Sequence, residues 1–213
     1  MISQWQDLGD FFVYRKNEVD YRIFYRDSLQ NHPQKINKPV LLLIHGFPTA
    51  SLDWQHIWDE LSHYFRLLTL DMIGFGLSDK PEVYEYTIHD QADIFQTLLN
   101  NVNITDYHIL AHDYGDTVAQ ELLARQLDIQ TERLSTSSSI EKIHSTILLN
   151  GGLFPETHRP VLMQKLLISS IGPWLIKFYS YSKFKQTFEH ICAQPISDEE
   201  LEIYWQLLQH WSN

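Results

Sequence analysis

The chain has one cysteine, Cys192, in 213 residues. No internal disulfide can form, which fits a reducing compartment and sets aside disulfide-stapled folds. Cys192 itself reads as a small hydrophobe buried in a helix. Cations are scarce as well. Sixteen Lys and Arg against 27 Asp and Glu leave a formal charge of -11, which argues against a nucleic-acid partner, whose phosphates need clustered Lys and Arg. No segment is apolar over the roughly 18 residues that a membrane span needs. The nearest candidate, 161–179, is interrupted by Gln164, Lys165 and Gly172-Pro173. It reads as lid helices, with a membrane-surface role as the alternative. Between Met1 and Phe12 there is no basic stretch followed by an apolar run, so no signal peptide is read there. No Cys/His cluster is spaced for a metal, and no Gly-rich loop could cradle a phosphate. The expectation is therefore no metal, no cofactor and a cytoplasmic location, with membrane association as the alternative.

What is present is a globular chain of 44% hydrophobic residues, including 11 Phe, 11 Tyr and 6 Trp, enough for one sizeable core. Residues 11–14 and 21–25 alternate as two antiparallel strands. Residues 40–44 (Val-Leu-Leu-Leu-Ile) and 67–70 are short unbroken apolar runs, the mark of strands buried on both faces. Residues 107–111 read as a further strand and 143–149 as one more buried strand. Helical spacing is predicted over 51–65, 88–102 and 115–127, and polar loops over 31–38 and 131–139. Strands alternating with helices predict an α/β fold, a mostly parallel sheet with helices on both faces. After Asn150-Gly151-Gly152 the pattern turns helical, near 161–171, 174–191 and 197–211. Ser197 with Asp198-Glu199-Glu200 makes a capped, acidic helix start. The expected division is a core at 1–152 and a partial helical lid at 153–213.

The most telling stretch is Ile109-Leu110-Ala111-His112-Asp113-Tyr114-Gly115-Asp116. An apolar strand enters a sharp turn and a helix leaves it. Small residues stand two before and two after Asp113, the spacing of a nucleophile elbow. Asp113 occupies the position usually held by Ser. A Ser nucleophile needs a base beside it to take its proton. A carboxylate is already ionised at neutral pH and can attack a saturated carbon directly, forming an alkyl ester on the enzyme. The competing reading of Asp113 is an N-cap for the following helix.

His45-Gly46-Phe47-Pro48, Trp54, Asp71 with Gly74-x-Gly76-x-Ser78-Asp79, and His112-Asp113-Tyr114-Gly115 together resemble the α/β-hydrolase-fold family. The branch resembled is the Asp-nucleophile one of epoxide hydrolases and haloalkane dehalogenases. Phe47-Pro48-Thr49, Ser78-Asp79-Lys80-Pro81 and the run from Asn150 to Pro160 look closest, within it, to the mesoderm-specific transcript group and its bacterial relatives. The resemblance implies Asp113 as nucleophile and the backbone N–H groups of Phe47 and Tyr114 as an oxyanion hole. It implies a small apolar substrate. Dehalogenases of the branch hold the leaving halide with side-chain N–H donors, and Phe47 offers none. The lean is toward epoxide opening, in which lid tyrosines donate to the epoxide oxygen. Tyr179, Tyr181 and Tyr204 are the candidates by region, each with a packing role as the alternative. His45 and His112 read as packing and hydrogen-bonding residues, and Asp71 with its glycines as a turn requirement.

The resemblance also implies a triad order of nucleophile, acid and His. The acid would follow the seventh strand, or in some dehalogenases the sixth, where this chain has Asn150. No counterpart of the last two strands, the usual acid or the catalytic His is read in the sequence. The chain looks C-terminally truncated. Three expectations follow: an open apolar sheet edge with self-association, alkylation of Asp113 without efficient release of the ester, and a rival function. That rival is a non-catalytic relative binding a small apolar ligand or a protein partner.

Overall fold

The computed structural model describes residues 2–30, 38–132, 142–151, 180–192 and 194–209. Two compact units divide the chain, one built on residues up to Leu153 and the other on residues up to Gln209. In the first, helix α1 (Ile2–Asp7) precedes strands β1 (Asp10–Lys16), β2 (Val19–Asp27) and β3 (Val40–Ile44). A 3-10 turn (Ser51–Trp54) then leads into α2 (Gln55–Ser62), β4 (Arg66–Leu70), α3 (Ile88–Asn101), β5 (Asp106–His112), α4 (Tyr114–Glu132) and β6 (Lys142–Leu149). These strands form one six-stranded sheet in the order β1-β2-β4-β3-β5-β6. β4, β3, β5 and β6 are parallel, while β1–β2 and β2–β4 are antiparallel.

The strand sequences explain the layers. Side chains alternate across a sheet. Leu42 and Ile44 of β3, with Leu68 and Leu70 of β4, turn to one core together with Ala92, Phe95 and Leu98 of α3 and Val118 and Leu122 of α4. The alternate residues Leu41, Leu43 and Leu67 are buried too, because the other face is also covered. There Trp5 of α1 meets Trp58 of α2 edge-on at 5.1 Å, and the Arg26 guanidinium lies 3.9 Å from the Trp5 ring. Burial depresses the pKa of Arg26 to about 10.

Three expectations for this unit need correction, and one helix was not expected. The segment 51–65 is not one helix: Ser51–Trp54 is a 3-10 turn, and the α-helix ends at Ser62. Helix α4 runs to Glu132, past the expected end at 127, with no Gly or Pro to stop it. β6 is not buried on both faces; Ile147 and Leu149 are exposed. Helix α1 has no counterpart in the sequence reading. Six residues are too few to show a period, and its place is set by Trp5, whose Nε1 donates to Ser51 Oγ at 3.1 Å. The loop at 31–37 lies outside the described residues, as does most of the one expected at 131–139.

In the second unit the described residues form α5 (Tyr181–Ile191) and α6 (Asp198–Gln209). Phe184 is fully buried, 4.6 Å from Phe188 and 5.4 Å from Trp205. Ser197 caps α6 as expected, its Oγ accepting from Glu200 N. Of the helix expected over 174–191, the described part is Tyr181–Ile191, with Ser180 extended before it, and 174–179 lies outside the described residues. Cys192 does not lie within that helix but follows it as a half-buried C-cap. The helix expected near 161–171 lies outside the described residues. No helix among the described residues is long and apolar enough to cross a membrane.

Candidate active site

Asp113 stands between the end of β5 and the start of α4, with φ +53 in the left-handed region. A non-Gly residue there carries backbone strain of about 1–3 kcal/mol, held only when neighbours fix the turn. They do so here. Asp113 N donates to Leu149 O of β6 at 3.1 Å, and Asp116 N donates back to Asp113 O at 3.1 Å. Of the flanking small residues, Gly115 is obligatory. A Cβ on Gly115 would lie 2.5 Å from the backbone oxygens of both Ile44 and His45. Ala111 is fully buried.

The Asp113 side chain is exposed at this turn. Its Oδ1 accepts the backbone N–H of Phe47 at 2.8 Å. The β3 strand delivers Phe47 through His45-Gly46, and Gly46 has no room for a side chain. A Cβ there would meet Asp113 Cβ at 2.6 Å. The Phe47-Pro48 peptide is cis. Tyr114 is the first residue of α4, whose opening N–H groups lack intrahelical partners. Its phenol is held above the ordinary pKa by burial. Phe75 stands among these groups, 6.2 Å from the Phe47 ring and 6.1 Å from that of Tyr114. Asp113 is thus flanked by aromatic side chains.

Of the sequence candidates, Asp113 and Phe47 are in contact and Tyr114 adjoins them. Tyr181 and Tyr204 belong to the second unit. Tyr181 OH lies 3.5 Å from Asp198 O, and Tyr204 is buried with its ring stacked on Phe188 at 5.9 Å. Tyr179 lies outside the described residues. Asn150 follows β6 in the left-handed region, φ +58. Asp71 organises the turn as expected, its carboxylate accepting from Ser51 N at 2.8 Å and Leu77 N at 2.7 Å.

Sequence reasoning missed Phe75, Thr49, Asp53 and Asp116. His112 Nε2 lies 2.9 Å from Asp53 Oδ2, which also accepts from Thr49 Oγ1. Burial pushes the His112 imidazole down, but the hydrogen bond to Asp53 and the charges of Asp53, Asp113 and Asp116 outweigh it, so its pKa is raised. Asp116 is fully buried with neither oxygen hydrogen-bonded in full geometry among the described residues. Burial raises its pKa, opposed by the backbone of Leu149 and Gly151. Partners 59 residues apart, as Asp53 and His112 are, carry no local signal. Among the described residues no group of acidic, His or Cys side chains could hold a metal.

This sheet order and strand-to-helix turn define a class, and comparison with known proteins names it. Residues 39–161 match the alpha/beta hydrolase fold family, and the chain belongs to that family. It is 42% identical over 191 residues to the mesoderm-specific transcript protein of Mus musculus, covering 85% of this chain and 52% of that protein. A shorter match, 33% over 94 residues, reaches epoxide hydrolase 3 of Xenopus tropicalis, covering 44% of this chain and 26% of that one. Among solved structures, an alpha/beta hydrolase fold protein from Burkholderia ambifaria superposes with a TM-score of 0.67 at 23% identity, over 91% of this chain and 63% of that chain. The chain spans about half the length of the curated relatives it matches, 52% for the first.

Proposed function

We propose that this chain carries the nucleophile of an epoxide-opening α/β hydrolase, with Asp113 as the attacking carboxylate. The observation that carries the reading is the Phe47 N–H on Asp113 Oδ1 at 2.8 Å, at a residue held in the left-handed region. One carboxylate oxygen is engaged by a backbone donor, which leaves Oδ2 to attack. Oδ2 forms a bond to an epoxide carbon, the ring C–O bond breaks, and its electron pair leaves on oxygen as an alkoxide that takes a proton from water. The Phe47 donor, joined by Tyr114 N–H, stabilises the carbonyl oxygen of the ester intermediate when water later adds to it.

The aromatic side chains of Phe47, Phe75 and Tyr114 favour a small apolar substrate. Phe47 has no side-chain donor for a halide, so an epoxide fits better than a haloalkane. An epoxide hydrolase of Xenopus tropicalis and a haloalkane dehalogenase of Mesorhizobium japonicum match at the same 33% identity, so the choice rests on the Phe47 side chain. Release of the ester needs an imidazole base and an acid, and the proposal assigns neither to a residue of this chain.

Incubation with styrene oxide followed by intact-mass analysis and peptide mapping tests the reading. The expected outcome is one added epoxide mass on Asp113, or Asp113-dependent diol formation where the ester is released. Asp113→Asn abolishes both. Modification that persists in Asp113→Asn, or no reaction of the wild-type chain, sinks it.

A further inference from the structure

An oxyanion donor acts only if it is held still, and the loop that carries Phe47 is exposed: Phe47 keeps 59% of its surface in solvent. Resting on the reading of Asp113 as nucleophile, we propose that Asp53, Thr49 and His112 form a positioning unit that locks the Phe47 donor over Asp113. Asp53 Oδ2 is the shared acceptor. From the loop side it takes the Thr49 hydroxyl hydrogen, and Thr49 Oγ1 also lies 3.4 Å from Gly46 O. From the side of the β5–α4 turn it faces His112 Nε2 at 2.9 Å. The ring closes through covalent bonds. His112 is joined to Asp113, Asp113 Oδ1 accepts from Phe47 N, and Phe47 is two residues from Thr49. One carboxylate therefore ties the donor-bearing loop to the residue beside the nucleophile.

The chemistry of the three side chains fits. A carboxylate only accepts, so both partners donate. This assigns the proton to His112 Nε2 and the Thr49 hydrogen to Asp53. The Asp53 side chain is 13% exposed and that of His112 28% exposed, so the hydrogen bonds are partly shielded from water. Burial lowers the pKa of His112, and three acids, Asp53 from the 3-10 turn and Asp113 and Asp116 from the β5–α4 turn, together raise it above the ordinary histidine value. The neutral His45 imidazole and the edge-on Trp54 ring at 5.2 Å complete its surroundings. A protonated His112 makes a charge-assisted bond to Asp53, stronger than that of the neutral ring. The lock is therefore tightest at low pH and slackens as pH rises through the raised pKa of His112.

Two readouts test the unit, one with chemistry and one without. The first is the kinetics of adduct formation with styrene oxide, resolved into the maximal rate and the probe's apparent dissociation constant. Asp53→Ala and Thr49→Val are expected to cut the maximal rate by about tenfold, because an Oδ1 no longer held by Phe47 N–H lets Oδ2 leave the line of attack, a misplacement that costs up to roughly 10²-fold. The dissociation constant stays within about twofold, since uniform binding is untouched. Thr49→Ser, which keeps the hydroxyl, rescues the rate relative to Thr49→Val. His112→Gln, which can still donate to Asp53, removes the pH inflection above the ordinary histidine range.

The second readout is hydrogen exchange of the Phe47 amide by NMR. Its protection is lost in Asp53→Ala and Thr49→Val and kept in Thr49→Ser. Asp53→Leu, which is close in shape and cannot accept, serves where Asp53→Ala does not fold. The two proposals fail separately. Unchanged Phe47 protection in Asp53→Ala and Thr49→Val overturns the positioning unit even when Asp113 is alkylated. Lost protection, with no adduct on the wild-type chain, sustains the unit and overturns Asp113 as nucleophile.

Discussion

His45 has a defined ligand on each ring nitrogen. Nδ1 faces Gly46 O at 2.9 Å, so it carries the proton, and Nε2 accepts from Met72 N–H at 3.0 Å. The ring is fully buried, and burial lowers its pKa from 6.5, outweighing the charges of Asp71 and Asp53 and the hydrogen bond to Gly46. Protonation would set an N–H against the Met72 N–H. The unfolded chain binds a proton at this residue below about pH 6.5 while the folded chain does not, so stability is full above that value and falls as pH drops toward the folded pKa. Urea unfolding across about pH 7.5 to about pH 5 should show that loss, with slope set by the extra proton bound on unfolding. In His45→Gln the chain is less stable throughout, and the acid-dependent part of the loss shrinks. An unchanged slope in that variant assigns the sensitivity to another group.

The β5–α4 element shows how a local signal becomes a tertiary constraint. Ala111 and Gly115 are legible as small residues around Asp113, yet only packing explains Gly115. Its missing Cβ is the space taken by the Ile44 and His45 carbonyls at the end of β3. Backbone atoms cannot rotate away, so Gly115→Ala should cost at least the roughly 1–3 kcal/mol of overpacking. The helix α3 cap is a milder control. Thr87 Oγ1 accepts from Asp90 N at 3.1 Å, and Thr87→Ala should cost about 1 kcal/mol. Denaturant unfolding ranks the two variants, and Gly115→Ala as mild as Thr87→Ala would contradict the close approach of α4 to β3. The same contrast marks what was legible. Unbroken apolar runs announced β3 and β4 because both faces of each strand are covered. Period 3.6 announced α3. The run at 143–149 looked alike, but β6 is only half-buried, and on one face, and no periodicity tells a run how many neighbours it has. Asp53 escaped notice because its importance lies in His112, and Phe75 because its Gly-rich loop read as turn chemistry alone.

At the scale of the molecule, the exposed face of β6 makes a prediction about association in solution. It is the last strand in the described sheet and pairs with β5 alone. Ile143 and Leu148 turn toward the core, while Ile147 and Leu149 stand 55% and 43% exposed. A strand with an unpaired row of N–H and C=O groups and apolar side chains on its open face is a template for a second strand. The chain's net charge of -11 opposes association between copies at low salt, an effect that screening removes over about 8 Å at physiological ionic strength. Self-association of this 213-residue chain should therefore rise with both protein and salt concentration, as read by light scattering on a size-exclusion column. Ile147→Lys places a charge on the exposed face without touching the core side, and should shift the population back to monomer with the unfolding midpoint nearly unchanged. A wild-type chain that stays monomeric at high concentration and high salt would show that β6 is not a sticky edge. Association that survives Ile147→Lys would place the contact elsewhere on the surface.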